Sequence, residues 1–206
     1  MRNANGVWTA EEAALVLIDY QEETFANVKS ETTADEIELN VKFLIRAAKA
    51  FNIPVVLSSV GVEMGVNRPT RASIRDELSD RQVIDRSSMD AWEDGAFRAA
   101  VERTGKKKLI FGALYTGICL AFPVVDAIRD GFEAIFVVDA VGGMSQLTHR
   151  TAIERLTAAG AIPNTTLALV SELFRDWKSS IADKAREVIT WYLPEAQKLA
   201  AKRKAA

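Results

Sequence analysis

Apolar residues recur along this chain in two rhythms. Unbroken runs of strand length, such as Ala13-Ala-Leu-Val-Leu-Ile18 and Ala134-Ile-Phe-Val-Val138, alternate with stretches in which apolar positions return at the helical period. The pattern predicts strands at residues 13–19, 54–59, 83–85, 108–113, 134–139 and 165–169. Helices are predicted at 34–51, 70–78, 95–104, 117–130, 146–159 and 170–177. Runs that are apolar at every position, rather than at every second one, belong to strands covered on both faces. Strands alternating with helices indicate an α/β chain with a parallel sheet and crossover helices. Asn52, Gly105, Gly131 and Gly160 each follow a helical stretch, where a left-handed residue ends a helix at little cost.

Beyond residue 178 the pattern reads as helix, interrupted near Pro194 and ending in a basic run from Lys198 to Lys204. With no strand left to join, it is predicted as a helical extension of a single domain spanning 1–206. It would pack outside that domain or on a neighbouring subunit, using Trp191 and Tyr192, with its last ten residues solvated. Trp177, Trp191 and Tyr192 all lie past the last strand, and aromatics left outside a core mark an interface, so a homo-oligomer is expected.

The chain has 206 residues, enough for a full core, and its net charge is only −2. That balance favours neither nucleic acid nor an anionic membrane, leaving a small molecule as the expected partner. One cysteine cannot form an internal disulfide, and Met1-Arg-Asn-Ala-Asn-Gly-Val-Trp8 lacks the apolar run of a signal peptide. A cytoplasmic location is the expectation. A single histidine and no Cys/His spacing of the zinc type give no reason to expect a metal or other cofactor.

Ligands of open α/β sheets gather at the C-terminal strand ends, which singles out four places. Asp19 follows four apolar residues, so its carboxylate is either paired, in a cleft or capping a loop. Arg86 ends the short third strand, where it can grip an anion or form an ordinary ion pair. Cys119, the only thiol, follows Gly112-Ala-Leu-Tyr-Thr-Gly117 at the predicted start of a helix, whose free N–H groups favour thiolate and can hold an oxyanion. Asp139, before Gly142-Gly143, fits a loop and capping role better than a chemical one. His149, one turn inside a helix, reads as structural. Asp19, Arg86 and Cys119 together supply base, cation and nucleophile.

The ordered set Leu15-Val-Leu-Ile-Asp19-Tyr-Gln21, Asn40, Asn52-Ile-Pro-Val-Val-Leu57, Arg86 with Ala91-Trp92, Thr116-Gly-Ile-Cys119, Phe122-Pro123, Val138-Asp-Ala140 and Glu172-Leu-Phe-Arg-Asp-Trp177 resembles the isochorismatase-like cysteine hydrolases, and within them the YcaC-like subgroup. The resemblance implies a Rossmann-like three-layer α/β/α sandwich with a six-stranded parallel sheet. It implies a catalytic triad of Asp19, Arg86 and Cys119, arginine being the subgroup's form of a cation that is lysine in many members. It further implies a non-proline cis peptide at Leu114-Tyr115, with the Tyr115 and Cys119 N–H groups as oxyanion donors. Trp92 and Leu114 are the candidate substrate contacts. Gly117 stands where many relatives are acidic, and Ser58 to Asn67 lacks the metal ligands of the nicotinamidase branch. The function implied is metal-independent hydrolysis of a small amide or related C–N bond through a thioester. Alternatives are an isochorismatase-type ether hydrolase, or a small-molecule-binding or thiol-sensing protein with little turnover.

Overall fold

The computed structural model of the chain describes residues 6–205. Six parallel strands, β1 (Ala13–Ile18), β2 (Val55–Val60), β3 (Val83–Arg86), β4 (Lys108–Ala113), β5 (Glu133–Val137) and β6 (Ile162–Asn164), form one sheet in the order β3-β2-β1-β4-β5-β6. The chain therefore winds outward from β1 in one direction and from β4 in the other. Helices cover both faces, giving the three-layer α/β/α sandwich; the short α1 (Glu22–Ala26) and α3 (Ala72–Arg75) lie in the connections after β1 and β2.

The fully buried β1 shows how the sandwich closes. Leu15 and Leu17 point into one core with α2 (Ala34–Ala50), α7 (Thr166–Phe174) and α8 (Ala182–Ala205). Ala14, Val16 and Ile18 point into the other with α4 (Gly95–Arg103), α5 (Ala121–Arg129) and α6 (Gln146–Ala158). A strand alternates its side chains between faces, so an unbroken apolar run feeds two cores at once. Helix starts carry their own caps. Thr33 and Glu36 form a capping box at α2, and the Asp94 carboxylate accepts from Phe97 N–H at α4.

Two sequence expectations are corrected. The sixth strand lies at Ile162–Asn164, and the apolar stretch predicted as strand at 165–169 is the first part of α7. The Asp139 carboxylate accepts from Thr166 N–H at 2.8 Å and from Thr166 Oγ1 at 2.6 Å, and so starts that helix. Pro163 is tolerated because β6 is an edge strand of three residues. The terminal helix is not interrupted at Pro194 but runs through it. Packing on α2 holds it on both sides of the proline: Tyr192 stacks on Phe43 at 4.1 Å, and Lys202 and Arg203 pair with Asp35 and Glu36. Trp191 lies against the Arg46 guanidinium at 3.7 Å, so both aromatics of this segment are engaged within their own chain. Trp177 remains 56% exposed. Among the described residues no helix is long and apolar enough to cross a membrane.

The side chain of Tyr20 packs directly over Gly112 of β4. A Cβ there would lie 2.5 Å from Tyr20 Oη and 3.3 Å from Leu17 Cδ2. The Tyr20 hydroxyl is fixed, since it is buried and donates to Ala140 O at 2.6 Å. Gly112→Ala should therefore destabilise the protein by about 1–3 kcal/mol, the cost of overpacking. Urea unfolding measures it, and a change below about 0.5 kcal/mol, the range of neutral surface substitutions, would show that Tyr20 moves freely.

Candidate active site

Because β1 and β4 are neighbours whose connections leave in opposite directions, a crevice opens at their C-terminal ends. Asp19 is the first residue past β1 and has a left-handed backbone, φ 60°, a conformation aspartate tolerates better than most residues. Its N–H donates to Ser58 O at 3.0 Å, and its carbonyl accepts from Gln21 N–H and Thr24 Oγ1 at 2.9 and 2.7 Å. The side chain of Gln21, also fully buried, donates to the carbonyls of Val60 and Arg68 and accepts from Val60 N–H. The ends of β1 and β2 are thus tied together. Sequence reasoning gave Gln21 no role, although a glutamine two residues beyond a buried aspartate is a signal for such a tie.

Arg86, the last residue of β3, reaches across β2. Its Nη1 and Nη2 donate to Asp19 Oδ1 and Oδ2 at 2.7 and 2.8 Å, and Nη1 also donates to Ser59 O at 3.0 Å. Both side chains are fully buried. This two-pronged geometry is what makes arginine suited to a buried carboxylate. Burial works against the guanidinium charge, but Asp19 and the neighbouring Cys119 more than offset it and raise its pKa. Arg86 Nε has no hydrogen-bond partner.

Cys119 lies in a π-helical turn, Thr116–Leu120, that follows β4 and runs directly into α5. The Tyr115 carbonyl accepts from the N–H groups of both Ile118 and Leu120. Thr116 anchors the turn: its N–H donates to Gly142 O at 2.9 Å, and its buried hydroxyl lies 2.8 Å from His149 Nδ1. His149 is itself buried, which lowers its pKa. Leu114-Tyr115 is a cis peptide, and the Tyr115 backbone lies close enough to the Cys119 sulfur to favour its ionised form. The structure therefore brings Asp19, Arg86, Cys119 and the Tyr115 backbone into one contact.

The sequence-based expectation of a thiolate is corrected. Burial pushes the Cys119 thiol up to about 12, and the charge and hydrogen bond of Asp19 act in the same direction. Arg86 and the Tyr115 backbone oppose them without prevailing. At neutral pH the sulfur is protonated, with a carboxylate beside it.

Trp92 and Leu114 both have buried side chains, Trp92 in the same apolar cluster as Cys119 and Leu114 at the cis peptide that precedes Tyr115. Trp92 is buried against Phe97 and Phe132, and its Nε1 donates to Asp130 Oδ2 at 2.9 Å. Leu114 is fully buried in the core beneath α2. Beside the nucleophile turn is an apolar cavity of about 330 Å³, bounded by Tyr115, Gly117 and Ile118 on one side and by Met144, Leu147 and Ala152 on the other. Asp19, Arg86 and Cys119 do not line it. Among the described residues no group of three or more His, Cys, Asp or Glu side chains could hold a metal ion.

The opposing charges around Cys119 make signed predictions. Removing the negative neighbour with Asp19→Asn should speed iodoacetamide labelling at pH 8–9, and removing the positive one with Arg86→Gln should slow it. Each change should be about an order of magnitude, the effect of roughly one pKa unit. Labelling in the wild type should still be rising at pH 9; a plateau below pH 8 would contradict the buried-thiol account.

Four comparisons with known proteins bear on this geometry. Residues 13–167 match the isochorismatase domain family. The chain is 36% identical over 171 residues to the YcaC protein of Escherichia coli, described as a probable hydrolase, covering 82% of this chain and 81% of that one. The crystal structure of Escherichia coli YcaC, an octameric hydrolase of unknown specificity, superposes with a TM-score of 0.85 at 32% identity, covering 96% of both chains. YcaC from Pseudomonas aeruginosa, solved with hexane-2,5-diol and covalent acrylamide, superposes with a TM-score of 0.86 at 30% identity, covering 97% of this chain and 98% of that one.

Proposed function

The chain belongs to the isochorismatase domain family, a family of hydrolases, and on that footing we propose that it hydrolyses a small amide or related C–N bond through a thioester on Cys119. One observation carries the reading: the only thiol of the chain lies close enough to Asp19 for that carboxylate to raise its pKa, and arginine grips the carboxylate at both oxygens.

In the proposed cycle Asp19 takes the Cys119 proton as sulfur bonds to the substrate carbonyl carbon. The carbonyl oxygen gains the negative charge, and the N–H groups of Tyr115 and Cys119 hold it. When the C–N bond breaks, Asp19 returns the proton to the departing amine. Water, deprotonated by Asp19, then attacks the thioester, and the C–S bond breaks as the thiol regains its proton. Arg86 stays charged throughout, since a guanidinium is not deprotonated in proteins. Its task is to hold the carboxylate in place and to stabilise the developing thiolate.

The covalent acrylamide of the Pseudomonas aeruginosa relative supports the reading, because acrylamide is an electrophile that a reactive nucleophile captures. The octameric Escherichia coli relative supports a homo-oligomer here, which light scattering on the full chain tests; a monomer at all concentrations would contradict it. Trp191 and Tyr192 pack within the chain and no longer argue for that assembly, whereas Trp177 stays mostly exposed and still does.

Incubation with a panel of small amides followed by intact-protein mass analysis should show an acyl adduct on the wild type and none on Cys119→Ala. The same substitution should lower hydrolysis by more than about 10⁴-fold, as loss of a covalent nucleophile does elsewhere. Asp19→Asn should label faster with iodoacetamide yet hydrolyse more slowly. Hydrolysis that survives Cys119→Ala would favour ether chemistry, and a wild type that never forms an adduct or turns over an amide would favour a thiol sensor.

A further inference from the structure

Between α2, α8 and the segment that follows β5 lies a second cavity, of about 240 Å³, bounded by Glu36, Asn40, Asp139, Tyr192, Ala196 and Arg203 among others. Its polar groups are unevenly used. Asn40 is nearly fully buried; its Nδ2 donates to Asp139 O at 2.6 Å, and its Oδ1 accepts from the Tyr192 hydroxyl at 2.7 Å. The Tyr192 hydroxyl proton and one N–H of the Asn40 amide are thereby spent inside the protein, while the Tyr192 oxygen keeps its own acceptor capacity. Asp139 Oδ1 takes both bonds from Thr166, which explains one carboxylate oxygen as a helix cap. Beyond Thr166 the carboxylate meets only its own backbone N–H, and no described lysine, arginine or histidine pairs with Asp139, although burial raises its pKa.

A half-buried carboxylate without a cation normally costs stability unless water or a ligand meets it. At the rim, Glu36 is already held by Thr33 at 2.8 Å and by Arg203 at 3.3 Å, so the charges of Glu36 and Arg203 offset one another and that of Asp139 is left over. Leu39, Ala196 and Leu199 supply aliphatic wall. We propose that this cavity binds a small primary ammonium compound, its N–H groups donating to the second carboxylate oxygen of Asp139 and to Tyr192 Oη, and its carbon chain lying along the aliphatic wall. The site is separate from Cys119 and does not depend on the proposed hydrolysis.

Titration calorimetry of the full chain with n-butylammonium chloride tests this, with sodium butyrate and 1-butanol at matched ionic strength as controls. Saturable binding of butylammonium alone is expected. Asp139→Asn keeps an oxygen for Thr166 but removes the charge, and should weaken binding about tenfold or more. Ala196→Leu, which fills the cavity from α8 and leaves Asp139 intact, should abolish it. The proposal is overturned if the wild type shows no saturable binding, if butyrate or butanol binds as well as butylammonium, or if either variant binds butylammonium as the wild type does.

Discussion

The buried ion pair between Asp19 and Arg86 is the constraint around which the C-terminal edge of the sheet is arranged. Two fully desolvated charges survive only when each is met at hydrogen-bond distance, and both oxygens of Asp19 are so met. The pair spans from β1 across β2 to β3, so these three strands cannot slide relative to one another without breaking it. Removing one partner of such a pair costs about 3–5 kcal/mol, because the other charge is left behind in the interior. The left-handed backbone at Asp19, the Gln21 tie and the contact of Arg86 with Ser59 O all serve the same placement.

The state of the sulfur follows from that pair. Cys119 is brought against the carboxylate by the turn that Thr116 anchors on Gly142 and His149. A buried thiol beside a negative charge resists ionisation, so the resting site stores its proton on sulfur rather than as a separated thiolate and cation. A protonated nucleophile needs a base at the moment of attack, and Asp19 stands where that base is needed. The arginine cannot exchange protons, so in the proposed amide hydrolysis the carboxylate is the one group in the contact able to carry a proton from sulfur to the leaving amine.

Much of this was legible in the chain. Unbroken apolar runs marked β1, β4 and β5, and strand ends pointed to Asp19, Arg86 and Cys119, because burying an ionisable residue after an apolar run needs a partner. What failed did so for physical reasons. The stretch after Pro163 looks like a strand because threonine, leucine and valine suit one, and only the distant Asp139 cap turns it into helix. Pro194 looks like a break, but tertiary packing against Phe43 and Glu36 outweighs the missing backbone bond. The Cys119 ionisation was misjudged because the local helix start was visible in sequence, whereas burial and the negative charge of Asp19 come from residues a hundred positions away. Trp92 and Leu114 lie close in sequence to site residues, yet both side chains turn into the core.

Since Cys119 is the only cysteine, its protonation can be observed without ambiguity by the infrared S–H stretch of the free protein. A band present at pH 7, absent from Cys119→Ser and persisting to pH 9 is what the buried thiol and its carboxylate partner require. Absence of the band at pH 7, with thiolate absorbance in its place, would contradict the account that Asp19 acts as base to a protonated nucleophile.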